Sequence, residues 1–135
     1  MKTDVLNKNS NAFAQEISVK PNAVEHHSGS TLTLDSAADV GSVHIFSADC
    51  TVTLPATGAG LNYVLVAGAD DVELTLSPNA SDKFLGGCGK AADDDDKDLI
   101  YSNGKEGDCV KILADGTAGW YITHLSDASK VSYES

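Results

Sequence analysis

The sequence contains no arginine, and its nine lysines stand against twenty acidic residues, giving a formal net charge of -11 at pH 7. Binding along a phosphate backbone rests on cationic side chains displacing counterions, and bidentate reading of bases is mostly arginine work. This balance argues against direct contact with nucleic acid. The same charge keeps isolated subunits soluble and repels anionic membrane surfaces. A docking surface is therefore expected to be a locally neutral patch, or to face something less acidic than the protein itself. No apolar run approaches the roughly 20 residues that span a bilayer. The segment MKTDVLNKNS lacks the apolar stretch of a secretory signal, which predicts a chain made in a cytoplasm.

Cysteine is scarce as well. Cys50, Cys88 and Cys109 are odd in number and widely spaced, with no Cys-x-x-Cys pair, so a disulfide framework is not the organising principle. Cys50 and Cys109 flank apolar segments and are expected to serve as small buried hydrophobes. Cys88, in the Gly-rich stretch 86–89, leaves a bridge open. Catalytic signatures are missing too: there is no Gly-x-Ser-x-Gly elbow, no Cys and His in a suggestive local setting, and Gly86-Gly87-Cys88-Gly89-Lys90 lacks the spacing of a phosphate-binding loop. The reading is of a protein without enzymatic activity, with no cofactor and no metal.

Two groups of residues hold metal-ligand chemistry. Asp93-Asp94-Asp95-Asp96-Lys97-Asp98 could gather calcium, but calcium loops space their ligands and use glycine to fold round the ion. A solvated, self-repelling loop is expected instead. Asp93 to Lys97 also spells the enteropeptidase recognition sequence. Of the histidines His26, His27, His44 and His124, none has the short ligand spacing of a structural zinc site. His44 and His124 are expected to pack beside aromatics on their strand faces. Should those faces meet between subunits, protonation near pH 6 would loosen the contact. Asn79-Ala80-Ser81 fits the glycosylation sequon but reads as a turn in a chain that is not secreted.

What is present is β-type alternation. At 135 residues the chain fits one domain and an arm, and a domain near this size buries roughly two-thirds of its unfolded surface without staples. Residues 1–29 are polar, lack a sustained period and are read as an N-terminal arm reaching to a neighbour. From Thr31 the leucines of Thr31-Leu32-Thr33-Leu34 share one face, and Thr51-Val52-Thr53-Leu54 repeats the alternation. Asp35 to Asp39 is at most one helical turn, closed by Gly41. Val43 and Ile45 oppose His44 and Phe46. Tyr63-Val64-Leu65-Val66 has no polar face and should be covered on both sides. Val72, Leu74 and Leu76 alternate with Glu73 and Thr75, and Lys83-Phe84-Leu85 is short. Leu99-Ile100-Tyr101 is followed by a turn at Asn103-Gly104. Cys109–Leu113 and Trp120–Leu125 flank Asp115-Gly116 and Gly119 as the clearest antiparallel hairpin. In its second strand Trp120, Ile122 and His124 are expected on one face, with Tyr121, Thr123 and Leu125 on the other. Residues 127–135 read as a flexible tail. The fold expected is all-β: an antiparallel sandwich or barrel-like module of about eight short strands over residues 30–126, with an extended N-terminal arm.

Leu54-Pro55 stands at a strand end, Gly60-Leu61 opens a buried aromatic strand at Tyr63, a turn runs from Pro78 to Asp82, and the last hairpin carries Gly107-Asp108, Val110, Asp115-Gly116 and Trp120-Tyr121. In these features residues 30–125 resemble a β-module of tailed-phage virion proteins. The resemblance implies a virion component packing as a homo-oligomer, often a trimer. The short chain, without long repeats or a coiled-coil stalk, favours a capsid decoration (cement) protein on the outer surface of the head, partnered by the major capsid protein. A head-fibre or tail-fibre module recognising host glycans is the alternative, with Trp120, Tyr121 or Tyr101 stacking on sugars.

Overall fold

The structure is a computed structural model that describes residues 23–135. Residues 1–22 of the expected arm lie outside the described residues. Alternation of apolar and polar side chains builds the strands wherever one face can be buried. The first six are β1 (Val24–His27), β2 (Thr31–Thr33), β3 (Val43–Phe46), β4 (Cys50–Thr53), β5 (Asn62–Ala67) and β6 (Val72–Ser77). They are followed by β7 (Lys83–Gly86), β8 (Leu99–Gly104), β9 (Cys109–Ala114), β10 (Gly119–Leu125) and β11 (Val131–Tyr133). The helical content of the described residues is a single 3-10 turn, Ala128–Lys130.

The all-β expectation holds, and the strands form two sheets, β1-β3-β5-β9-β10-β7 and β11-β8-β6-β4-β2. The sheets are mixed rather than antiparallel. From β1 to β6 the chain crosses to the opposite sheet after every strand, so each strand meets its predecessor in the same sheet only after a full turn, running the same way. The pairs β1–β3, β3–β5, β2–β4 and β4–β6 are accordingly parallel, whereas β5–β9, β9–β10, β6–β8 and β8–β11 are antiparallel. The winding stacks like on like: Thr31 lies beside Thr51 and Thr51 beside Thr75, while Thr33 lies beside Thr53 and Thr53 beside Ser77.

The core between the sheets takes Phe46, Tyr63, Leu65, Phe84, Ile112 and Trp120 from one side and Val52, Leu74, Leu76, Leu99 and Tyr101 from the other. Tyr63 and Trp120 meet with ring centroids 5.8 Å apart. Asp35 to Asp39, expected as at most one helical turn, forms a hydrogen-bonded turn without helix, with the Asp39 N–H donating to the Asp35 carbonyl at 3.0 Å.

Four local expectations are corrected. First, β10 carries a bulge between Ile122 and His124, so His124 pairs with Lys111 and Leu125 with Val110. The extra residue exchanges the faces beyond it, turning His124 outward and packing Leu125 against the core. Second, β8 runs on through Asn103 and Gly104, and the turn falls at Glu106-Gly107, where the Asp108 N–H reaches the Lys105 carbonyl. Third, residues 127–135 are no loose tail. Val131 and Tyr133 lie two apart on one face of β11, which pairs with β8, and Val131 is buried while the Tyr133 ring lies 6.2 Å from Phe84. Fourth, the end of the expected arm is structured, because β1 pairs with β3.

Candidate functional site

The outer face of the β1-β3-β5-β9-β10-β7 sheet departs most from the composition of the whole chain. In one row Val24 lies beside Val43, Val43 beside Val64 and Val64 beside Lys111; in the next, His26, Ile45, Val66 and Cys109 follow each other. A third row brings Asn62, Leu113 and Tyr121 together. Val24 is 53% exposed, Tyr121 48% and Leu113 38%. Adding Lys83 and Leu85 of β7 and His124 of β10, no outward side chain of these strands is an aspartate or glutamate. In a chain of net charge -11 that is a large local departure. Neither of the two sheets packs over this face within the described residues. The two-sided cover expected for Tyr63 to Val66 is thus supplied on one side only, leaving Val64 and Val66 half-buried.

The opposite outer face is polar. It presents Thr31, Thr33, Thr51, Thr53, Glu73, Thr75 and Ser77, with Ile100 among them. Threonine suits a strand through its branched Cβ and leaves a hydroxyl for water, so this face has no need of a partner. The acidic residues gather in loops instead. There they satisfy turn backbone: Asp115 Oδ1 accepts from the N–H groups of Thr117, Ala118 and Gly119, and Asp35 Oδ1 from those of Ala37 and Ala38. These donors hold both carboxyls below the ordinary carboxylate range.

At the ends of β1, β3 and β5 a groove of about 470 Å³ opens beside His26, Ile45, Val66, Gly68 and Gly107. On the inner side of the same strands, Glu25 and His27 of β1 meet His44 of β3, the register partner of Glu25. His27 Nε2 and His44 Nδ1 are 2.9 Å apart, and Glu25 Oε1 lies 3.7 Å from each. The imidazoles stack with centroids 5.1 Å apart, and His27 stacks at 5.1 Å on Phe46 as well. His44 therefore packs in the aromatic setting expected of it, but it faces the other sheet and takes no part in an outer interface. Burial holds it below the ordinary imidazole range against the pull of the Glu25 carboxylate.

The remaining sequence candidates disperse. Cys50 is buried and its thiol is pushed up by that burial, whereas Cys88 is exposed and Cys109 is half-buried on the outer face; all three are free thiols. In the acidic loop the Asp93 and Asp96 N–H groups bond the Phe84 and Asp82 carbonyls, and its carboxylates do not converge as ligands. Of the aromatics weighed for sugar stacking, Trp120 and Tyr101 are buried and Tyr121 is exposed. Sequence reasoning missed the Glu25-His27-His44 cluster. The Glu-x-His spacing on β1 was legible, but His44 joins it only through the β1–β3 register.

No helix among the described residues is long and apolar enough to cross a membrane. Comparison with known protein families and with curated proteins yields no match.

Proposed function

We propose that the chain is a non-catalytic decoration (cement) protein that binds the outer surface of a phage head as a homotrimer and stabilises the shell. The observation that carries this reading is the carboxylate-free, apolar outer face of the β1-β3-β5-β9-β10-β7 sheet. Contiguous apolar surface on a small, strongly acidic chain is costly to leave wet and marks a protein contact. Sister subunits and the major capsid protein are the partners that the resemblance to virion β-modules implies. Charge repulsion between subunits of one sign is avoided when the meeting faces carry no acid. A protein that binds only the assembled shell shifts the equilibrium toward it, so reinforcement requires contact and no chemistry.

Native mass measurement combined with co-sedimentation on empty capsids tests both parts on one sample. A trimer that pellets with capsids at saturating occupancy is expected. A monomer that stays in the supernatant refutes the reading. Glycan binding by the isolated protein, lost on Tyr121→Ala, would favour the receptor-binding alternative, since Tyr121 is the exposed member of the aromatics considered for it.

A further inference from the structure

We propose that Glu25, His27 and His44 form a binding site for a divalent transition-metal ion, with Zn²⁺ as the best-matched ion, that clamps the edge strand β1 to β3. Three lone-pair donors from two adjacent strands converge: Glu25 Oε1, His27 Nε2 and His44 Nδ1 all lie within 4.8 Å of one another. Ligands about 2.0–2.1 Å from a tetrahedral zinc ion stand roughly 3.3 Å apart. The separations of 2.9, 3.7 and 3.7 Å bracket that value, so side-chain shifts of a few tenths of an ångström would bring the three donors to that spacing.

Register and burial make this a built arrangement. Glu25 and His27 sit at i and i+2 on the inward face of β1, and His44 lies directly across the ladder from Glu25. The side chain of His44 is 0% exposed, that of His27 17% and that of Glu25 42%. The site is therefore anchored in the core and open at the carboxylate, through which an ion can enter. A hydrogen bond between the two imidazoles would account for the 2.9 Å contact alone. That bond does not involve the Glu25 carboxylate oxygen, which lies 3.7 Å from each of the two nitrogens. His44 Nε2 has no hydrogen-bond partner among the described residues; with a metal on Nδ1, this nitrogen carries the ring proton.

Donor chemistry selects the ion. Two imidazoles and one carboxylate suit Zn²⁺, Co²⁺ or Ni²⁺, whereas Ca²⁺ and Mg²⁺ demand more oxygen ligands than the cluster offers. Three protein ligands leave a coordination position open, to be filled by water or by a donor from another molecule.

The test uses the full chain, stripped with chelator and titrated with ZnCl2 by calorimetry, with CaCl2 as comparison. Thermal melting is followed in parallel. One zinc per chain and a raised melting temperature are expected, with no saturable calcium binding. His27→Gln and Glu25→Gln should each weaken zinc binding at least about tenfold, the lower end of what losing even an outer-shell partner costs. His26→Gln, on the outer face of the same strand, should bind like the wild type. Circular dichroism of each variant separates a lost site from a lost fold. Absence of 1:1 zinc binding, or undiminished affinity in a folded His27→Gln variant, overturns the proposal.

Discussion

The Tyr101 hydroxyl donates to the Asp108 carboxylate at 3.0 Å, tying β8 to the turn that leads into β9. The same oxygen accepts from the Lys105 N–H at 3.0 Å and lies 3.3 Å from Lys130 Nζ. One side chain thereby joins strand β8, the following turn and the 3-10 turn before β11. Burial and the Asp108 charge push the Tyr101 phenol well above its ordinary range. Tyr101→Phe keeps the ring and leaves Asp108 its other two partners. The expected cost is about 1–2 kcal/mol in urea unfolding, with an unchanged slope. A loss below about 0.3 kcal/mol would show that the contact is not stabilising.

Acid should unfold the protein through its turn carboxylates. Backbone and hydroxyl donors hold Asp35, Asp108, Asp115 and Asp127 below their ordinary value of 3.8. A depressed folded-state value means stability fully present above the unfolded value and lost as pH falls through the folded one. Asp98 works oppositely, since burial raises it, but it is outnumbered. The carboxylates contribute a fall in melting temperature below about pH 4, added to an earlier loss that begins as pH drops through the ordinary imidazole value of 6.5, because burial disfavours the protonated His44 in the folded chain. Asp115→Ala should lower the plateau and flatten the acid limb. A melting temperature that rises on acidification would contradict this account.

Gly87 cannot take a side chain without strain where the chain leaves β7 close against the backbone of β10. A Cβ there would stand 2.0 Å from the Ile122 carbonyl oxygen, at a φ of 129°. Gly41, at φ 77°, has nothing within 4 Å of such a Cβ. Gly87→Ala should cost about 2–4 kcal/mol from overlap and strain together, and Gly41→Ala about 1–2 kcal/mol from conformation alone. Equal melting temperatures for the two variants would refute the close approach of Gly87 to Ile122.

The C-terminal strand should contribute measurably to stability. Val131 is buried at 4% exposure, and Tyr133 donates its hydroxyl to the Ala91 carbonyl at 2.8 Å. Val131→Ala is expected to cost about 2 kcal/mol, and chain termination after residue 130 should cost more. Chemical denaturation of both variants checks this; wild-type stability in the shortened chain would return the segment to the status of a tail.

Disruption of the outer sheet face should separate assembly from folding. Tyr121→Lys and Leu113→Lys place cations on exposed positions without touching the core. Surface substitutions of this kind usually change stability by less than about 0.5 kcal/mol. If the proposed trimer forms through this face, the expected outcome is a folded monomer of nearly wild-type melting temperature. Unchanged native mass would exclude these residues from the contact.

Local alternation was enough to read a β protein, the place of most strands and most of the inward-facing side chains, with His124 and Leu125 as exceptions. Alternation at a period of two is local, and burial of one face enforces it from Leu32 through Val72 to Trp120. The sequence also showed a chain too acidic to leave its partners unconstrained. Strand pairing was not legible there, because a strand reads alike whether its neighbour runs parallel or antiparallel. The stacking of Thr31 on Thr51, the bulge that turns His124 outward, the docking of Val131 and the meeting of Glu25 and His27 with His44 all depend on register between distant segments. Register is selected by the joint burial of both sheets, a property no single segment possesses.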